Sequence, residues 1–180
     1  MSLSDRTWNL PNALTGLRIF LVPLLVVVLL TRAEHHVLLG AAIFGLAALT
    51  DYFDGYLARR WRVESEFGKF ADPLADRLMI DAAVLLLCLD GRLPWLALAI
   101  VLGRDVLLIA GFGLVKDRGY DFSVSTLGKA STWVLYAAIT GVIASDEGTA
   151  WPLWLFWIGV GIAVAAAVFY VLGALRTVRR

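Results

Sequence analysis

The chain has 180 residues, of which 60% are hydrophobic, and its formal net charge is +1. A soluble domain has roughly 45–50% apolar residues, so this composition indicates a membrane protein. A charge this close to neutral argues against nucleic-acid binding through a large basic surface. The single cysteine, Cys88, excludes an intrachain disulfide.

The apolar residues form long runs separated by short charged connections, and several runs reach the roughly 20 residues that a helix needs to cross a bilayer. They predict one all-α integral membrane domain over residues 1–180, a compact bundle of six transmembrane helices. For residues 1–10 two interpretations stay open, an amphipathic interfacial segment and a frayed terminus. The predicted spans are Asn12–Thr31, Val37–Ala58, Asp72–Leu89, Pro94–Val115, Thr126–Ala144 and Pro152–Leu175.

Lysine and arginine lie mainly on one side of these predicted spans. An even number of spans puts both termini on the same side, and connections rich in Lys and Arg face the cytoplasm. We therefore predict a multi-pass protein of the cell membrane with both termini cytoplasmic. The opposite side has only Arg32 and Arg92. The predicted cytoplasmic cations are Arg6, Arg59, Arg60, Arg62, Lys69, Lys116, Arg118, Lys129, Arg176, Arg179 and Arg180.

Four aspartates lie at the cytoplasmic ends of the second and third predicted spans. Asp51 and Asp54 are three residues apart and Asp72 and Asp76 four apart, so each pair shares one helix face. An ionisable group inside a span costs about 2.5–3.5 kcal/mol on insertion and usually faces a cavity or a partner. Four like charges in a pocket of low dielectric need cations, and carboxylate oxygens suit Mg²⁺ or Mn²⁺. The pattern predicts a two-metal site that clamps a phosphate.

The residues between the two acidic pairs fit a phosphate site, although simpler interpretations stay open. Gly55 and Ala58 either admit a ligand close to the backbone or pack two helices together. Arg59 offers a planar fork to a phosphate but is ambiguous alone. Gly68 is expected to turn the chain back into the membrane. Asp72 precedes a proline, which predicts that it caps the third helix at its first turn.

The stretch DYFDGYLARRWRVESEFGKFADPLAD contains D-x2-D-G-x2-A-R-x8-G-x3-D-x3-D, with eight fixed positions. This pattern resembles the signature of the CDP-alcohol phosphotransferases, the class I CDP-alcohol phosphatidyltransferases. The opening NLPNALTGLRIFLVP is similar to the first span of bacterial members.

The resemblance implies an enzyme that transfers the phosphatidyl group of CDP-diacylglycerol to an alcohol and releases CMP. It implies a site that opens toward the cytoplasm and a homodimer surrounded by membrane lipids. Asp51, Asp54 and Asp72 would hold the metals, and Asp76 would activate the acceptor hydroxyl as a base while also touching a metal. The positions implied to bind CDP are Gly55, Ala58, Arg59 and Gly68.

Arg104 in the fourth span and Lys129 in the fifth are candidates for holding the phosphate of the acceptor. Helix rise puts Arg104 a turn or more deeper than the predicted metals. The alternative for Arg104 is a structural bridge to Asp81 or Asp105, because buried charges usually have partners.

Two acceptors fit the resemblance. The run from Arg104 to Ala110 is similar to cardiolipin synthases of the CMP-forming type, whereas phosphatidylglycerophosphate synthases typically show another arginine where this chain has Phe112. A missing cation weakens the binding of glycerol 3-phosphate, which is a dianion. We therefore favour phosphatidylglycerol as acceptor, which gives cardiolipin, with glycerol 3-phosphate as the alternative.

A cation or proton transporter is a more remote alternative, since intramembrane acids also line ion paths. Transporters commonly place such a site at the midplane between inverted repeats. Here the acids cluster near one surface, and no repeat is present in the sequence.

Overall fold

The computed structural model describes the backbone of residues 10–31, 36–61, 66–115 and 126–178 and the side chains of residues 16–31, 38–50, 53, 77–108 and 126–173. Within these ranges the chain forms six α-helices and no strand, which confirms the all-α prediction. The helices are α1 (Leu10–Leu30), α2 (His36–Trp61), α3 (Glu66–Leu89), α4 (Trp95–Val115), α5 (Thr126–Ala144) and α6 (Ala150–Val178).

The start of the third helix was wrongly predicted. α3 begins at Glu66, so Asp72 is not its N-cap, and Gly68 lies in the first turn of the helix rather than in a bend before it. A proline in a helix removes only the backbone hydrogen bond that its own nitrogen would donate, and its ring crowds the preceding turn. Helices of membrane bundles tolerate this, and α1 likewise contains Pro23.

The six helices pack in a closed ring. Going round it, α1 contacts α2, α2 contacts α5, α5 contacts α6, α6 contacts α4, α4 contacts α3, and α3 returns to α1. The centre of the ring is apolar and closely packed. Its fully buried side chains include Phe44 of α2, Ala83 and Val84 of α3, Leu135 and Ile139 of α5 and Phe156 of α6.

The outer surface of the bundle is rich in large hydrophobic side chains. Large hydrophobic side chains lie exposed on every helix, among them Phe20, Leu38, Leu96, Trp154 and Phe169. A soluble protein rarely exposes such continuous apolar surface. The inside instead holds four buried polar residues among those described, namely Arg18, Thr50, Asp105 and Ser131.

Two helices are long and apolar enough to cross a membrane, Thr126–Ala144 and Ala150–Gly173, and two shorter apolar stretches cover Gly16–Leu30 and Leu38–Thr50. Within the described chain, the six predicted spans therefore exist as helices. That all six cross the membrane stays a prediction.

The turn between α3 and α4 depends on a glycine with a positive φ. Gly91 has a φ of +75°, which costs glycine little because it has no Cβ. Its N–H donates to the Cys88 carbonyl at 3.1 Å, and the N–H of Arg92 donates to the Leu87 carbonyl at 2.9 Å. This pair of bonds is the Schellman motif, which satisfies the last carbonyls of a helix. The Arg92 guanidinium then donates to the carbonyl of Ser145, so the α3–α4 and α5–α6 turns meet at one end of the bundle.

Two glycines on α6 provide a test of the ring packing. A Cβ at Gly159 would lie 3.1 Å from Leu135 Cγ and Cδ2 and 3.1 Å from Val134 Cγ1, whereas one at Gly161 would meet nothing within 4 Å. Because Leu135 is fully buried, it has little room to move away from a new Cβ, and Gly159→Ala should destabilise the protein by about 1–3 kcal/mol. Gly161→Ala should stabilise it by about 0.5–1 kcal/mol. Thermal unfolding in detergent measures both, and equal midpoints for the two variants would contradict the packing of α5 on α6.

Candidate active site

The two acidic pairs occupy matching depths in consecutive helices. Asp54 lies seven residues before the end of α2, and Asp72 lies six residues after the start of α3. Asp51 and Asp76 each lie ten residues from the same two helix ends. At about 1.5 Å of rise per residue, Asp54 and Asp72 lie roughly 10 Å from the connection between the helices, and Asp51 and Asp76 lie roughly 15 Å from it. Because α2 and α3 contact each other and only residues 62–65 separate them, the four positions belong to one region of the bundle.

The side chains of the signature residues lie outside the described part of the chain. The backbone places Asp51, Asp54, Gly55, Ala58 and Arg59 on α2, and Gly68, Asp72 and Asp76 on α3. Their roles as metal and CDP ligands therefore stay predictions. Among the side chains that are described, no group of three or more His, Cys, Asp or Glu residues could hold a metal ion. The donor set of four carboxylates nevertheless fits Mg²⁺ or Mn²⁺, which prefer oxygen ligands.

Arg18 of α1 lies at the depth of Asp51, one of the two deeper aspartates. In the α1–α2 packing, a Cβ on Gly40 would meet Leu29 Cδ2 at 2.9 Å, so Leu29 and Gly40 are level. Eleven residues along each antiparallel helix from this contact lead to Arg18 and Asp51, which are therefore also nearly level. The Arg18 side chain is fully buried. Sequence analysis missed it, although an arginine inside an apolar span is itself a functional signal.

A second group of charges joins α3 and α4. Arg104 donates to Asp105 Oδ1 from Nε at 3.0 Å and from Nη2 at 2.8 Å. From α3, Arg77 Nη1 reaches the Asp105 carbonyl at 3.5 Å and lies 3.9 Å from Asp105 Oδ1. Asp81 lies one turn further along α3, close enough to interact electrostatically with these three residues. We call Arg77, Asp81, Arg104 and Asp105 the α3–α4 charge cluster.

Arg104 pairs with Asp105, one of the two partners considered for it, and the structure also revises the depth of Arg104. Because Asp105 contacts Arg77, the Arg104–Asp105 pair is level with Arg77 and hence with the adjacent Asp76. Relative to Asp72, Arg104 is about one turn deeper, as expected. Relative to Asp76, the deepest of the predicted ligands on α3, it is not deeper.

The structure does not bring the two predicted acceptor ligands, Arg104 and Lys129, directly together. Arg104 is largely buried and lies beside Leu135 and Val160, at a gap between α4, α5 and α6 that is too small for a water molecule. Lys129 is exposed on α5, six residues before Leu135, which corresponds to about 9 Å along the helix. Arg104 and Lys129 would hold the same phosphate only if their long side chains extended toward each other.

Sequence analysis also overlooked Arg77 and did not use Asp81 or Asp105 beyond bridging Arg104. The signal was present, because Arg77 directly follows the last aspartate of the signature and all four residues lie in predicted spans. Ionisable groups at such positions are costly and usually functional.

Comparison with known proteins identifies the class. The family model for CDP-alcohol phosphatidyltransferase matches residues 8–173. The chain therefore belongs to the CDP-alcohol phosphatidyltransferase family, which confirms the resemblance drawn from the signature. It is an enzyme that transfers a phosphatidyl group.

Several relatives share one more specific name. A CDP-diacylglycerol–glycerol-3-phosphate 3-phosphatidyltransferase of Salmonella choleraesuis (strain SC-B67) is 32% identical over 165 residues, which is 89% of this chain and 88% of the relative. Proteins of that name from Rickettsia bellii (strain RML369-C) and Shigella flexneri are similar, the first at 32% over 78% of each chain and the second at 31% over 89% of this chain and 88% of the relative. These relatives are named for glycerol 3-phosphate as their acceptor.

Proposed function

We propose that this enzyme transfers the phosphatidyl group of CDP-diacylglycerol to glycerol 3-phosphate, giving phosphatidylglycerophosphate and CMP. The observation that carries the proposal is the 32% identity, over 89% of this chain and 88% of the relative, to a protein named for that reaction. The prediction of phosphatidylglycerol depended on the similarity of the run from Arg104 to Ala110 to cardiolipin synthases and on Phe112, whose side chain lies outside the described residues. One uncharged position does not remove the cations that a dianionic acceptor needs, because the α3–α4 charge cluster contains a second guanidinium, that of Arg77.

In the proposed reaction, Asp76 takes the proton of the acceptor hydroxyl as the oxygen attacks the phosphorus of the phosphatidyl group. The bond between that phosphorus and the CMP oxygen breaks, and CMP leaves with the bonding electrons. An aspartate has an ordinary pKa near 3.9, so it is a weak base in water. Placed beside the attacking hydroxyl, it still accepts the proton as the new bond forms.

Asp51, Asp54 and Asp72, with Asp76 beside them, are the proposed ligands of two Mg²⁺ or Mn²⁺ ions. Bound there, these ions would supply positive charge to the diphosphate and to the departing CMP. Gly55, Ala58, Arg59 and Gly68 are proposed to bind the CDP group, with the small residues admitting it close to the backbone and Arg59 pairing with a phosphate. The matching depths of the two acidic pairs support this arrangement.

The acceptor is tested with purified protein in mixed micelles that contain CDP-diacylglycerol and Mg²⁺. CMP release should be at least tenfold faster with glycerol 3-phosphate than with phosphatidylglycerol, since its dianionic phosphate accepts one more charged contact than a phosphodiester does. Such a contact is worth about 1.5–3 kcal/mol, and about 1.4 kcal/mol is a factor of ten. Faster release with phosphatidylglycerol would restore cardiolipin synthesis as the function. Release with neither acceptor would contradict both.

Two substitutions separate the roles of the aspartates. Asp76→Asn should lower kcat by about 10²–10⁴-fold, because it removes the base, while most Mn²⁺ binding remains. Asp72→Asn should weaken both activity and Mn²⁺ binding, which electron paramagnetic resonance of Mn²⁺ measures without turnover. Asp146→Asn, which changes an exposed acid in the α5–α6 turn, is the matched control and should alter neither. Unchanged Mn²⁺ binding in Asp72→Asn would remove that residue from the metal site.

The proposed location is the cell membrane, with six spans and both termini in the cytoplasm. The apolar outer faces of the helices support insertion in lipid. Among the described residues, the end of the bundle where the α3–α4 and α5–α6 turns meet contains the acids Asp90, Asp146 and Glu147 and one cation, Arg92. An end so poor in positive charge is typical of the side away from the cytoplasm. A homodimer, implied by the family resemblance, stays a prediction.

Cysteine labelling tests this orientation. Cys88 is the only cysteine of the chain and is buried, so Cys88→Ala gives a background without thiols. In that background, a membrane-impermeant maleimide should label Glu147→Cys in intact cells and Thr177→Cys only after permeabilisation. The reverse pattern would invert the proposed orientation, and labelling of both in intact cells would contradict a membrane crossing by α6.

A further inference from the structure

The Asp105 carboxylate is bonded in a way that does little to hold the bundle together. Its Oδ1 accepts two short hydrogen bonds from Arg104, the residue beside it on the same helix. Adjacent helical residues point about 100° apart, so Arg104 reaches this oxygen only by bending back along α4. The contact with α3 is looser, because Arg77 Nη1 lies 3.9 Å away. The closest interaction of this buried acid therefore fixes the conformation of one arginine rather than joining two helices.

The remaining donors of Arg104 are not used by other groups in the described part of the chain. A guanidinium carries five N–H groups, and Asp105 takes one from Nε and one from Nη2. In the described part of the chain the Nη1 group forms no hydrogen bond, and 13% of the Arg104 side chain stays exposed while only 8% of Asp105 does. A guanidinium held by one edge presents its other edge in a fixed orientation, and that planar fork fits phosphate oxygens.

The Arg104–Asp105 pair also lies at the depth expected for the phosphate of the acceptor. The contact between Asp105 and Arg77 puts Arg104 level with Asp76, the proposed base. An acceptor whose hydroxyl lies at Asp76 therefore has its phosphate within a few bonds of that level. Arg104 approaches from α4, on the opposite side of α3 from the acidic positions of α2 in the ring order.

We propose that Asp105 is a positioning residue for the acceptor: it holds the Nε edge of Arg104 so that the Nη1 side meets the acceptor's phosphate. This inference rests on the proposed function only in that the acceptor carries a phosphate, which both glycerol 3-phosphate and phosphatidylglycerol do. Asp105 touches neither substrate and acts through Arg104.

Asp81 provides a matched control within the same cluster. It lies near Arg104, Arg77 and Asp105, yet its buried Oδ1 has no hydrogen-bond partner among the described residues. Asp105→Asn and Asp81→Asn therefore change the charge of the cluster equally, but only the first alters the group that holds Arg104. A purely electrostatic role would affect both variants alike.

The test measures steady-state kinetics with the acceptor varied at saturating CDP-diacylglycerol. Asp105→Asn should raise the KM for glycerol 3-phosphate about 10–100-fold, the range expected from losing one charged hydrogen-bonded contact. Its kcat and its KM for CDP-diacylglycerol should stay within about threefold. Asp81→Asn should leave the acceptor KM within about threefold or lower it. Equal increases in the two variants would overturn the inference, and so would an unchanged or lower acceptor KM in Asp105→Asn, which would mean that the carboxylate competes with the phosphate.

A second set of variants covers the case in which Asp105→Asn does not fold. Asp105→Glu keeps the charge but shifts the carboxylate by one methylene, so the acceptor KM should rise less than with asparagine. Arg104→Lys should raise it as Asp105→Asn does, and the double variant Asp105→Glu/Arg104→Lys should show less than the sum of the two effects, because both act on one contact. Additive effects would contradict the proposal.

The wild-type rates distinguish the two levels of inference. No turnover with glycerol 3-phosphate would sink the proposed function, and the same KM comparison would then use phosphatidylglycerol. Turnover with glycerol 3-phosphate but no difference between Asp105→Asn and Asp81→Asn would sink the role of Asp105 alone.

Discussion

Charge buried between apolar helices is the constraint on which the functional half of this bundle depends. An ionised side chain inside a membrane protein is costly, so it persists only beside a partner, a ligand or water. The described interior contains two such features, the fully buried Arg18 of α1 and the α3–α4 charge cluster. Both lie at the depth of the four signature aspartates. The charges of both signs are thus concentrated in one layer of the bundle, while the layers beyond Asp81 are filled by Ala83, Val84, Ile139 and similar side chains.

The helices themselves were readable from the sequence, because each is one apolar run bounded by charged or turn residues. α5 has the predicted bounds, Thr126–Ala144, and α4 begins one residue later than predicted. The start of α3 was not readable in the same way. Asp-Pro is a strong local sign of a helix N-terminus, and it outweighed the helix-compatible residues from Glu66 to Ala71. The context of a packed bundle, where neighbouring helices compensate for a proline, overrides that local preference.

The acidic site was predictable because its signal is local: spacings of three and four residues put each pair on one helix face. The α3–α4 charge cluster was predictable only in part. Sequence analysis named Asp81 or Asp105 as a partner of Arg104, since buried charges pair, but residues adjacent on a helix do not normally face each other. The bond forms because a long arginine side chain can bend back, and neither that conformation nor the contribution of Arg77 from α3 follows from spacing. Acceptor choice is harder still, because it depends on contacts between several helices and not on one position such as Phe112.

The ring order of the helices differs from their order in the chain, and this affects how the bundle is assembled. The first four helices form an open arc in the sequence α2, α1, α3, α4, and each neighbour in that arc is available before α5 is made. α5 and α6, joined by the short turn after Ala144, then fit into the remaining opening as one hairpin against α2 and α4. All four signature aspartates thus belong to helices that are synthesised early, whereas the apolar wall beside Arg104, formed by Leu135 and Val160, arrives last. Chains that end before that hairpin would leave the charged layer open to lipid on one side.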